Sequence, residues 1–147
     1  MDTAESGTMS PEQAAAPYEL HFTDRGDYLF AAVKGNQDSP GITLAYWREI
    51  AAECARRSVT LLLVCDDLQG EPASPQDFTQ LAAALRGSGL EHVRIAFHEP
   101  VSCHLRMVEH GELAFREAGF TLRVFGSERE AELWLRYGES RRAWTMP

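Results

Sequence analysis

Residues Val59-Thr60-Leu61-Leu62-Leu63-Val64 form an unbroken run of branched side chains that ends, after Cys65, at two carboxylates, Asp66 and Asp67. A run this short, with no face left polar, suits a strand covered on both faces rather than an amphipathic helix or a half-exposed hairpin strand. The chain must therefore supply cladding for two sides of a sheet. This predicts a layered α/β domain with the run at its centre.

The flanking segments fit that requirement. Tyr18 to Phe22 alternates apolar and polar residues, and after Asp24-Arg25-Gly26-Asp27 the segment Tyr28 to Val33 resumes the same composition, which predicts an antiparallel hairpin. Gly35 to Gly41 is turn-rich, and Ser39-Pro40 reads as an N-cap followed by a first helical residue. Trp47, Ile50, Ala51 and Cys54 then recur at helical spacing. Beyond the central strand, Ser74-Pro75 repeats the N-cap grammar ahead of a stripe made of Phe78, Leu81, Ala82 and Leu85. His92 to Phe97 alternates as a strand with one buried and one more polar face. Val101 to Ala118 is predicted helical from Val101, Leu105, Val108 and Phe115, with Gly119 as its stop. Phe120 to Phe125 is the last strand, and Ser127 caps a closing helix through Trp134 and Leu135. The predicted order is ββαβαβαβα: a mostly parallel five-stranded sheet whose crossovers place the helices mainly on one face. Residues 1–17 read as a flexible tail, 18–138 as the domain and 139–147 as a C-terminal tail.

Composition narrows the function classes. A net charge of −8, with only Arg56-Arg57 and Arg141-Arg142 as adjacent basic pairs, opposes nucleic-acid binding. No run approaches the roughly 20 apolar residues a membrane helix needs. The acidic start, Met1-Asp2-Thr3-Ala4-Glu5, is unlike a secretory signal, so a cytoplasmic location is expected. Cys54, Cys65 and Cys103 are isolated in apolar surroundings and read as reduced structural thiols.

The order of elements, together with Val93-Arg94-Ile95-Ala96-Phe97-His98-Glu99-Pro100 and the stretch from Ala118-Gly119-Phe120 to Glu130-Ala131-Glu132-Leu133-Trp134-Leu135, resembles the STAS fold of bacterial anti-anti-sigma factors. The resemblance is closer to bacterial proteins described as like the sporulation anti-anti-sigma factor, and it covers residues from about 18 to 137. It implies a regulatory, protein-binding module. In anti-anti-sigma factors a strand ending in Asp leads to a phosphorylatable serine, usually in an Asp-Ser pair. Asp66 and Ser74 occupy those places here, with Ala73 where the pair has its Asp and Pro75 where a small residue follows.

Asp66, Asp67, Ser74, His98 and Glu99 fall at the C-terminal ends of strands or at the helix start beyond, the edge where parallel α/β sheets receive ligands. With Ser39 on the neighbouring loop they are the candidate cleft residues. Phosphate on Ser74 would sit at a helix N-terminus; the plainer role for that serine is an N-cap. His98, His104 and His110 are six apart, on separate helix faces, so no metal site is expected, and nothing points to a cofactor. Cys103 beside His104 is likewise no nucleophile pair, and no Gly-x-Ser-x-Gly elbow supports a hydrolase. Trp47, Phe78 and Phe115 either line an apolar pocket or simply fill the core. The leading expectation is a non-enzymatic module that docks a protein partner, or a second copy of itself, through the loops at Asp38–Gly41 and Leu68–Asp77. The alternative is a carrier or sensor of a small apolar or acyl ligand between helices and sheet. A hydrolase using Ser74 with His98 is a third reading.

Overall fold

The computed structural model describes residues 17–37, 39–69 and 73–145, with the side chains of the last helix described to residue 138. The elements are β1 (Tyr18–Asp24), β2 (Leu29–Gly35), α1 (Pro40–Arg57), β3 (Leu61–Leu68), α2 (Pro75–Ala84), β4 (Arg94–His98), α3 (Leu105–Glu117), β5 (Thr121–Phe125) and α4 (Glu128–Thr145). The five strands lie side by side in chain order. Strands β1 and β2 pair antiparallel, and every later pair is parallel. The central position of the Leu-Val run fits its composition, because a strand inside such a sheet can be roofed on both sides.

Alternation along β3 divides the core. Leu62 and Val64 join the larger cluster, with Trp47, Ile50, Phe78, Leu81, Val108 and Phe115 from α1, α2 and α3. Leu63 points the other way, into a smaller cluster with Tyr28, Ala96, Ala131, Trp134 and Leu135. The three crossover helices thus share one face. Helix α4, which connects to no further strand, turns back across β3, β4 and β5 on the other. This corrects the expected polar side of β4: Ala96 is fully buried because α4 covers it.

Local chemistry sets the element ends. Ser39 Oγ accepts the Ile42 N–H at 3.2 Å, with Pro40 opening α1. Ser74 and Asp77 form a reciprocal capping box at the start of α2, each side chain accepting the other's backbone N–H at 3.2 Å. The helix predicted from Val101 begins later: Ser102–His104 is a 3₁₀ turn and α3 starts at Leu105 without a side-chain cap. With no Ser, Thr, Asp or Asn suitably placed, the tighter turn satisfies the His104 N–H from the Val101 carbonyl at 2.9 Å, and Val101 remains exposed. Helix α4 breaks at Gly138 (φ 62°, ψ −160°), where the sequence reading ends the domain; beyond it the backbone is helical again to Thr145. The expected tail at 1–17 lies outside the described residues except for Pro17.

Candidate functional site

The C-terminal ends of β3 and β4 place carboxylates on adjacent strands. Cys65 is in register with His98, so Asp66 and Glu99 are the next neighbours. Residues two apart share a face, so Asp66 goes with Leu62 and Val64, and Glu99 with Ile95 and Phe97, toward α1, α2 and α3. Both line a cavity of about 40 Å³ between that face of the sheet and the helices. Its wall also takes Trp47 from α1, Phe78 from α2 and Phe115 from α3, together with Phe97, Tyr46, Thr43 and His104. The three aromatics singled out in the sequence therefore converge on one space, although each also packs as core.

The carboxylates are held by short-range donors. The Tyr46 hydroxyl donates to Asp66 Oδ2 at 2.8 Å, and the Leu68 N–H to Asp66 Oδ1 at 2.9 Å. Glu99 is only 6% exposed. Its Oε2 accepts the Val101 N–H at 3.0 Å and lies 3.8 Å from His104 Nδ1. Its own N–H donates to the Phe125 carbonyl at 3.0 Å, which ties the end of β4 to β5. A carboxylate this deeply placed is costly unless such donors surround it.

The remaining candidates sit elsewhere on the same edge. Asp67 and His98 point to the face that carries Leu63 and Ala96, opposite the cavity. There His98 Nδ1 lies 3.4 Å from Cys65 Sγ. Burial, then the charges of Glu128, Asp67, Asp66 and Glu99, push the Cys65 thiol up to about 11, so it is protonated at neutral pH and the pair is no thiolate nucleophile. Cys103 is exposed, which corrects its reading as a core thiol; it precedes α3 on the 3₁₀ turn. Ser74 and Ser39 are exposed helix caps and do not line the cavity. Asp38 and residues 70–72, parts of the two expected docking loops, lie outside the described residues.

Sequence reasoning missed Tyr46, Thr43 and His104 as cavity residues. Tyr46 adjoins Trp47 and is almost fully buried, with its hydroxyl bonded to Asp66, a partnership set by tertiary contact that no local pattern encodes. The burial of Glu99 was available in principle, since strand alternation assigns it the orientation of Phe97. Among the described residues, no three His, Cys, Asp or Glu side chains are grouped to hold a metal ion, and no helix is long and apolar enough to cross a membrane. A scan against protein-family models found no match, and a search of curated proteins likewise found none.

Proposed function

We propose that this chain is a non-enzymatic module of STAS-like type that receives a small ligand between its crossover helices and its sheet. Occupancy would then be passed to a protein partner through the rim loops. The observation that carries this reading is the cavity itself: one aromatic from each of three helices meets around a space that Asp66 and Glu99 also line. Apolar walls with a few convergent polar groups are what small-molecule sites are built from, and about 40 Å³ restricts the occupant to a very small molecule. The Ser–His hydrolase reading gains no support, because the Ser74 hydroxyl is engaged as a helix cap and His98 faces the other side of the sheet. A fragment screen by NMR on the full chain tests the proposal. Ligands should move the Trp47 indole and Val108 amide signals together, and a library that moves neither sinks it.

A second reading, a phosphorylation switch at Ser74, draws on the exposure of that residue at the N-terminus of α2. Phosphate there would lie at the positive end of α2 but would also meet the Asp77 carboxylate that now caps the Ser74 N–H. Intact mass of the protein purified from its source cell should show an added phosphate under some growth condition; its absence under all of them removes this reading.

A further inference from the structure

We infer that the outer edge of β1 pairs with the same edge of a second copy of this chain, giving a two-fold dimer whose sheet runs unbroken from one chain into the other. The two outer strands differ in how they are guarded. On β5 the Glu112 carboxylate takes the outward Val124 N–H at 2.8 Å. Among the described residues no strand lies beyond β1, and its register with β2 runs from Tyr18 to Asp24 without a bulge. The strand contains neither proline nor lysine, which commonly blunt an edge.

The hairpin fixes which backbone groups are on offer. The Arg25 N–H donates to the Tyr28 carbonyl at 3.0 Å, so Arg25 and Tyr28 form a hydrogen-bonded pair. Antiparallel alternation then turns the N–H and C=O groups of Thr23, His21 and Glu19 toward β2, and those of Phe22 and Leu20 outward. Set antiparallel against its own copy with His21 on the two-fold axis, β1 is paired along its whole length, and Leu20 exchanges both backbone bonds with the partner's Phe22. The side chains match as well. Leu20 faces the partner's Phe22, Glu19 the partner's Thr23 and Tyr18 the partner's Asp24, so no two acids are opposed although each chain carries a net charge of −8. This self-complementarity singles out a second copy as the occupant.

The α1 side of the edge supplies apolar contact. Tyr18, Leu20 and Phe22 are half-buried against the core. Beside them a groove of about 480 Å³ runs between β1 and α1, with Leu20, Ile42 and Ala45 in its wall. An axis perpendicular to the sheet keeps both copies of α1 on one face, so the two grooves meet in a single seam floored by the paired strands.

Sedimentation equilibrium of the full chain, from about 1 µM to about 1 mM, should show the mass rising from the 16.4 kDa of one chain toward twice that. His21→Lys sets like charges face to face on the axis while changing only an exposed side chain, so it should weaken dimerisation at least about ten-fold. Cross-linking reads the register. In a Cys103→Ser background, which removes the exposed thiol, His21→Cys brings two thiols together at a non-hydrogen-bonded pair with Cα atoms about 4.5 Å apart, within reach of a disulfide. Mild oxidation should convert it to a covalent dimer at least about ten times faster than Glu19→Cys, which faces the partner's Thr23. A full chain that stays monomeric throughout overturns the inference, whether residues 1–16 or a foreign strand takes the edge. So does a dimer that His21→Lys leaves intact, or one in which Glu19→Cys cross-links as fast as His21→Cys.

Discussion

Ser58 ends α1 in the left-handed region, φ 56° and ψ 45°, a conformation that costs a side-chain-bearing residue about 1 kcal/mol or more. Glycine is the ordinary occupant of such helix ends. Ser58→Gly should therefore stabilise the fold by about 1 kcal/mol, read as a higher urea midpoint at unchanged slope. The cysteines give a second prediction. Burial pushes both the Cys54 and Cys65 thiols up from 9.0 to about 11, while Cys103 is exposed. An acid whose folded pKa is raised leaves stability intact below its unfolded value; the loss comes as pH climbs from about 9 toward 11, because the unfolded thiols ionise first. Melting temperature should fall over that window, and less steeply in a Cys54→Ala, Cys65→Ala variant. At neutral pH, iodoacetamide should modify Cys103 well before the other two, as mass mapping of the peptides would reveal.

At the scale of elements, two glycines are fixed by neighbours rather than by their own flexibility. Within α3, Ala at Gly111 would ordinarily favour the helix by about 1 kcal/mol. Here its Cβ would approach the Phe78 ring to 2.9 Å, where α2 packs on α3 beside the cavity. Overpacking wins: Gly111→Ala should destabilise by about 1–2 kcal/mol and weaken any ligand the pocket holds. At Gly138 the backbone angles are nearly exclusive to glycine, and a Cβ would meet the Arg94 guanidinium at 2.9 Å. That guanidinium donates to the Leu135 carbonyl at 3.0 Å, closing the first part of α4. Gly138→Ala should cost about 2 kcal/mol in urea unfolding. Glu112, on α3, has a different task. Its Oε1 accepts the Val124 N–H at 2.8 Å, occupying a donor on the outer strand β5 that a second chain would otherwise pair with. Glu112→Ala should raise the sedimentation coefficient at high concentration, and an unchanged value would show that this bond does not guard the edge.

Across the whole molecule, the elements that sequence made legible are those with a local period. Trp47, Ile50, Ala51 and Cys54 are all buried, as are Phe78, Leu81, Ala82 and Leu85, because helical spacing alone decides which side meets the sheet. The hairpin was readable from its alternation, and the central strand from the opposite signal, an unbroken apolar run. The second covering layer was not: α4 is rich in charged residues, and only its placement across β3 and β4 shows that Ala131, Trp134 and Leu135 bury Leu63 and Ala96. The site was half legible. Residue types and strand ends pointed to Asp66, Asp67, His98 and Glu99, yet their division between two faces depends on the register of β3 with β4, and the run of carboxylates does not end the strand, which continues to Leu68.

The chain-order sheet also bears on how the protein comes into being. Each new strand docks beside the one synthesised just before it, so the layer holding Trp47 and Phe115 grows as translation proceeds and needs nothing from the distant end. The opposite layer has no such luck: Leu63 and Ala96 stay bare until residues 128–138 leave the ribosome. A nascent chain stalled near Gly126 should thus present a greasy stripe to chaperones, and release of the last helix is the event that hides it.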